Sequence, residues 1–340
     1  MKTIDASSLK AFGEQFLEAY GASAKNAGII ASHLVRNDLK GIESQGAMRF
    51  FEYAGFMQSG QVDGAAVPEI REPAPGAFLV DGKGGFGIVA LQLASEQMIE
   101  RMKTVPMCAA GIFNVGHTGR IGDFAENFAK AYCFGMVFGG GGHKAHRTVA
   151  PFGGTKGIMS TNPIAMAMPG MDEVPLSADF ATSASAGGKL RLAKRKGVSL
   201  PQGHILDKNG EPSTNPDDFF DGGVMLPSAG PKGSGMGMIN ELLTYGLFGN
   251  PLEFNWFMTS VKLSVFCEEK DYSARADEFL TEVDNVPPAK GFKRVRYPGQ
   301  FEADTEKQRQ KDGISVSDAI AEKLVTMAKE KELLIPDALL

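Results

Sequence analysis

The 340-residue sequence predicts an α/β fold, and three observations carry that prediction. Between residues 76 and 140, strand-like apolar runs alternate with helix-like ones, the order that lays helices on a sheet. Helix-like segments with apolar residues three and four apart fill the first 60 positions. The 42 glycines cluster between ordered-looking segments, which calls for tight turns and close backbone approach. A chain of this length buries a large core and divides into two or three subdomains.

Residues 7–20, SSLKAFGEQFLEAY, read as a first helix opened by serine, with Leu9, Phe12, Phe16 and Leu17 on its core face. The run 23–41 is a second helix closed by Gly41, and 44–60 a third, again closed by glycine. Strands are expected at 76–82 and 107–115, separated by a helix over 88–103. A helix over 122–133 and a strand over 134–140 follow. PIAMAMPG and PLSADFATS add two short strands. A helix over 238–248 is expected after the turn PKGSGMG, then a mixed hydrophobic segment to about residue 267. Residues 315–334 form an amphipathic helix, and the polar, proline-bearing stretch 201–222 a surface loop.

The net charge of −5 and scattered basic residues give no case for a nucleic-acid partner. The run KLRLAKRKG (189–197) reads as a solvated helix face or a phosphate contact. No apolar run approaches the ~18 residues of a membrane span. The N-terminal MKTIDASSLKAF has no apolar stretch after its lysine, so no secretory signal is expected. Cys108, Cys133 and Cys267 are few and far apart, as free thiols in the cytoplasm would be. His143 and His146 have no nearby cysteine or carboxylate to complete a metal site, and no metal is expected.

The stretch DGKGGFG (81–87) matches G-x-G-x-x-G between a strand and a helix. A Rossmann turn also needs an acidic residue at the end of the next strand, and FNVGHTG offers Asn114 instead. Asp81 stands where a pyrophosphate would approach. The glycines are therefore read as a turn packing a helix on its strand. P-loop, nucleophile-elbow and H-E-x-x-H patterns are absent.

Three stretches carry candidate chemistry. In FNVGHTGRIGDFAENF, His117 stands in a glycine-framed turn, either as a proton-transfer group or as a backbone-bonded turn histidine. In NDLKGIESQGAMRF, Ser44, Gln45 and Arg49 lie within a turn and a half. Arg49 there is either a carboxylate clamp or a surface helix arginine. The turns of 149–170 and 176–183, with GPKGSGMG (230–237), offer amides, hydroxyls and a lysine to an anion.

In these stretches, in DFATSASAGGKLRLAKRKG and in VDGKGGFG, the chain resembles the malate/L-lactate dehydrogenase-like family nearly end to end. The resemblance implies a non-Rossmann α/β fold, a homodimer, and NAD or NADP as cofactor. It implies an N-terminal helical, substrate-side region (1–75) packing with the C-terminal segment (285–340). Between them it implies a central mixed-sheet cofactor domain (76–284). The implied reaction is hydride transfer to or from a small 2-oxo or 2-hydroxy carboxylate. A cyclic imino-acid reductase and a cofactor-binding protein that has lost catalysis are the alternatives.

The resemblance also implies roles for single residues. His117 and the Gln45 position would serve proton transfer. Arg49, with Ser44 and Thr161, would hold the substrate. Ser177, Ala178, Asp179, Phe180, Ala181 and Thr182 would bind the cofactor, with Lys232, Gly233 and the turn Pro298, Gly299, Gln300. Two departures stand out. Members usually carry histidine where this chain has Gln45, and glutamine supplies no proton at neutral pH. The run WFMTSVKLSVF (256–266) replaces the usual Gly-His-Phe strand, so a changed pocket is expected.

Overall fold

A seven-stranded mixed sheet organises the structure, a computed structural model that describes residues 1–142 and 146–340. It is built from β2 (Glu69–Ala74), β3 (Ala77–Gly85), β4 (Met107–Val115), β5 (Cys133–Gly140), β6 (Pro163–Met168), β7 (Leu176–Ala181) and β11 (Asn255–Lys262), in the order β2-β3-β4-β11-β5-β6-β7. The β3–β4 pair is parallel, joined through α4 (Gly87–Arg101), and every other pair is antiparallel. β11 separates β4 from β5, so the α5 crossover (Gly122–Lys130) connects strands that are not neighbours. This mixed order departs from a doubly wound dinucleotide sheet, whose strands are mostly parallel.

α1 (Ala6–Ala19), α2 (Ala24–Leu39) and α3 (Met48–Gln58) precede the sheet. Asp5, not a serine, caps α1, its carboxylate accepting the Ser8 N–H at 2.8 Å. Gly41, at φ +79°, closes α2 in the left-handed region that glycine enters without a Cβ penalty. The third helix begins only at Met48, because residues 43–45 form a separate single turn. Phe12, Phe16, Phe50 and Tyr53 interlock in the same core as Val80, Ile88 and Ile112. Each such buried side chain contributes about 1.5–3 kcal/mol.

The C-terminal elements return to this layer. α10 (Gln300–Asp312) packs on α2, α11 (Asp318–Glu330) on α3, and β12 (Ile314–Val316) pairs with β1 (Lys2–Ile4). The expected helix over 315–334 is thus a strand followed by a shorter helix, capped by the Ser317 side chain. α9 (Glu269–Asp284) precedes them.

Two further expectations are corrected. Residues 201–222 are not a plain loop. They carry β8 (Ile205–Leu206), β9 (Pro212–Ser213) and α7 (Pro216–Phe220). With β10 (Val224–Met225) these strands form a three-stranded sheet over a small apolar core that includes Leu190 of α6 (Gly187–Lys196). And PKGSGMG is no turn: α8 runs Pro231–Glu241, with proline at its first position, where its missing N–H costs nothing. Among the described residues no helix is long and apolar enough to cross a membrane.

Candidate active-site cleft

The glycines of residues 81–87 hold the loop that presents His117. The Gly87 N–H donates to the His117 carbonyl at 3.0 Å, and the Gly116 N–H to the Gly85 carbonyl at 2.8 Å. A Cβ on Gly82 would lie 2.8 Å from the Asn114 oxygen. The turn thus packs two backbones together, and Asp81 is spent on Asn114 and Lys83. On the far side of the loop, His33 Nε2 accepts the Arg120 N–H at 3.1 Å.

His117 is half-buried at the cleft wall. Its Nδ1 accepts the Gly119 N–H at 3.2 Å and lies 2.8 Å from the buried Tyr53 hydroxyl. With Nδ1 accepting, the neutral ring carries its proton on Nε2. Burial, and then the charge of Arg49, lower its pKa from 6.5 to about 3. The imidazole is therefore a neutral hydrogen-bonding group at physiological pH.

Beside it lies a buried ionic cluster. Arg120 pairs with Asp123 at 2.9 Å and Glu126 at 2.8 Å, and Lys40 reaches both carboxylates. Burial raises the Asp123 carboxyl, but Lys40, His33 and Arg120 bring it well below its ordinary range. Asp179 of β7 joins through the Gly122 N–H at 2.8 Å. The cluster ties the His117 loop to β7.

These elements enclose a cleft of about 990 Å³. It gathers Ser44, Gln45, His117 and Thr161 with Ser177, Ala178, Asp179, Phe180, Ala181, Pro298 and Gly299. Gln45 Oε1 is buried without a hydrogen-bond partner among the described residues. Arg49 is not among the lining residues. Its Nε donates to the Ser44 carbonyl at 2.8 Å and its Nη1 pairs with Glu52 at 2.5 Å. Thr182 is buried behind the wall, its N–H donating to the Thr161 carbonyl.

Lys232 and Gly233 do not line the cleft. Lys232 is exposed, and Gly233 packs where a Cβ would meet the Ser228 and Thr182 carbonyls at 2.1 and 2.7 Å. Gln300 is turned inward, accepting the Tyr297 N–H and donating to Asp284, each at 2.9 Å. His143 lies outside the described residues, so the His143–His146 pair has no structural account.

Sequence reasoning missed several lining residues: Lys189, Glu253, Phe254, Trp256, Arg296 and Phe301. Lys189 and Trp256 had signals, the basic run and the departing strand that they open; the other four had none.

The lining fits a dinucleotide. Ser177 Oγ is a buried polar atom with no hydrogen-bond partner among the described residues. Gly299, at φ +105°, keeps its turn open where a Cβ would meet the Pro175 carbonyl at 2.4 Å. Lys189 and Arg296 supply positive charge for phosphates. Phe180 and Phe301, both exposed, offer flat apolar faces.

A family model described as malate/L-lactate dehydrogenase matches residues 4–325. The ureidoglycolate dehydrogenase (NAD(+)) of Escherichia coli O157:H7 is 29% identical over 323 residues, covering 91% of this chain and 90% of its own. The Δ1-pyrroline-2-carboxylate/Δ1-piperideine-2-carboxylate reductase of Pseudomonas putida is 32% identical over 250 residues, 73% of this chain and 72% of its own. The fold matches that of the malate dehydrogenase from Entamoeba histolytica with a TM-score of 0.92 at 22% identity, across 98% of this chain and 99% of that one. The family model spans the His117 loop, the Gln45–Arg49 segment and the β7 wall alike, and the chain belongs to the malate/L-lactate dehydrogenase family of NAD(P)-dependent oxidoreductases.

Proposed function

We propose that the protein interconverts a small 2-oxo carboxylate and its 2-hydroxy counterpart in the cleft between His117 and β7. One observation carries this reading: a neutral histidine, fixed through Nδ1, faces the same space as the Ser177–Ala181 wall. The nicotinamide, when bound, supplies or takes up the hydride. Ser177, Ala178, Asp179, Phe180 and Ala181, with Pro298 and Gly299, hold the cofactor. Thr182, Gly233 and Gln300 shape that wall from behind, and Lys232 stands at the start of α8. Residues 76–284 carry most of the cofactor wall, 1–75 the substrate side, and the C-terminal segment 285–340 packs with 1–75 while adding Pro298 and Gly299 to the cofactor wall.

His117 donates Nε2–H to the substrate oxygen, orienting it and stabilising charge that develops there. Arg49, supported by Ser44, attracts the carboxylate, with Thr161 and Gln45 as further polar contacts. Titrating NADH and NADPH by fluorescence, then assaying a panel of 2-oxo acids, tests the reading. Binding with no turnover on any 2-oxo acid would refute it.

Gln45 favours a second substrate class, cyclic imino carboxylates, because a protonated imine needs hydride but no proton from the protein. The P. putida relative bears such a name.

The working form we propose is a cytoplasmic homodimer. Free Cys108 and Cys133 suit a reducing compartment. Ile239, Leu242 and Leu247, on and just after α8, leave an exposed apolar face suited to a second copy.

A further inference from the structure

Resting on that reading, we propose that Glu253 is the catalytic residue that exchanges the reaction's proton with the substrate oxygen. The placement follows from β11. Trp256 pairs with Ile112 of β4, and Asn255 with Gly140 of β5. That register brings the residues just ahead of β11 to the end of β4, where the chain turns into Gly116 and His117. Glu253 lines the cleft there with Gln45, His117 and Thr161.

The polar groups that share the cleft with it are otherwise occupied or do not titrate, and Lys189 and Arg296 are cations placed for the cofactor's phosphates. His117 is neutral, its Nδ1 is occupied and its Nε2 already carries hydrogen. Gln45 does not titrate, and the hydroxyls of Ser44 and Thr161 hold their protons far above neutral pH. The Asp179 carboxylate accepts the Gly122 N–H and faces Arg120. The Tyr297 hydroxyl donates to the Met171 carbonyl. Glu302 sits in the first turn of α10 and also borders a separate hollow with Lys40 and Lys130.

Glu253 differs from all of these. Its carboxyl makes no hydrogen bond or ion pair among the described residues. The Arg49 guanidinium, which would lower its pKa, is already engaged by Glu52 and the Ser44 carbonyl. Burial dominates, raising Glu253 from 4.5 to about 7 against the pull of Arg49. Arg49 and Tyr53 of α3 are its charged and titratable neighbours, His117 shares the cleft with it, and His146 is nearby, its ring 6.0 Å from that of Phe254. A carboxyl poised near the working pH gives and takes a proton with equal ease.

In the reductive direction, hydride and its electron pair reach C2 of the 2-oxo acid. The carbonyl π pair withdraws to oxygen and takes the proton of the Glu253 carboxyl. The carboxylate left behind is reprotonated by water entering the cleft. Oxidation of the hydroxyl runs the same transfers backward.

The test compares wild type, Glu253→Gln and Glu253→Asp. Glu253→Gln should lower kcat for a 2-oxo acid by ~10²–10⁴-fold, with KM and NADH affinity little changed. The limb of the kcat–pH profile near 7 should vanish in Glu253→Gln and persist, at reduced rate, in Glu253→Asp. Without substrate or cofactor, the protonated-carboxyl infrared absorption titrating near pH 7 should carry two components in wild type, from Asp38 and Glu253, and in an Asp38→Asn background the remaining component should be missing once Glu253→Gln is added. An active wild type whose Glu253→Gln variant keeps its kcat and pH limb overturns the assignment, as does an unchanged infrared band. A wild type that turns over no 2-oxo acid overturns the functional reading instead.

Discussion

Replacing Gly87 by alanine puts a methyl carbon 2.2 Å from Thr118 Cγ2 and 2.7 Å from the Gly116 carbonyl oxygen. Ordinary contact begins near 3.4 Å, so the 116–118 loop must withdraw by roughly 1 Å, and His117 moves with it. Overpacking of this kind costs about 1–3 kcal/mol. Alanine in the first turn of α4 returns up to about 1 kcal/mol of helix propensity. The net loss of stability is then about 1–2 kcal/mol. A misplacement of that size at a reacting group costs on the order of 10²-fold in rate. Gly84→Ala is the control. Nothing lies within 4 Å of its Cβ, but its φ of +76° strains alanine, at about 1–2 kcal/mol. The two variants should melt alike in urea, while only Gly87→Ala loses kcat, both keeping their NADH affinity by fluorescence titration. Equal kcat in the two, or loss of cofactor affinity in Gly87→Ala, would refute the claim that this turn serves His117.

Stability should respond to pH through two opposed sets of buried groups. His33 and His117, lowered by burial to about 4 and 3, protonate in the unfolded chain first, so stability falls below pH 6.5. Asp38 and Glu253, raised by burial to about 7, protonate in the native state first, so stability rises as pH falls through 7. The sets offset, and wild-type urea stability should vary little between pH 7 and 4.5. Asp38→Asn removes one member, and its gain over wild type should shrink by about 1–4 kcal/mol from pH 8 to pH 4; a pH-independent difference would refute the assignment. Gln45→His should raise ketone reduction more than imine reduction in steady-state assays, and equal effects would remove the imino-acid argument. Sedimentation should give twice the 36.2 kDa chain mass, and Leu242→Glu should shift it toward the monomer.

Local patterns were legible wherever the chain's own period decided the structure. β4 was read to the residue, and His117 was found because glycines frame it. Glycines misled at 231–237, since Gly233 and Gly237 serve helix packing against Thr182 and Asn162, not a turn. Residues 201–222 looked like a loop because two-residue strands leave no periodic trace. Glu253 was invisible for a different reason. A lone acidic residue in NPLEFNWFM carries no motif, and only the pairing of β11 with both β4 and β5 brings it to the site. Likewise, no local signal could show that Gln300 turns inward to Tyr297 and Asp284.

The central strand of the sheet is also the last to be made. Asn255 follows Gly140 by 115 residues, yet among the described residues β11 is the only strand partner that β4 and β5 share. A ribosome adding ~5–20 residues per second leaves those two inner edges open for many seconds. During that interval the nascent chain presents the apolar strands FGMVFGG and MCAAGIFNV as templates for foreign strands. Closure of the sheet also brings Glu253 and Trp256 to the cleft, so a chain stalled before β11 is both inactive and prone to aggregate.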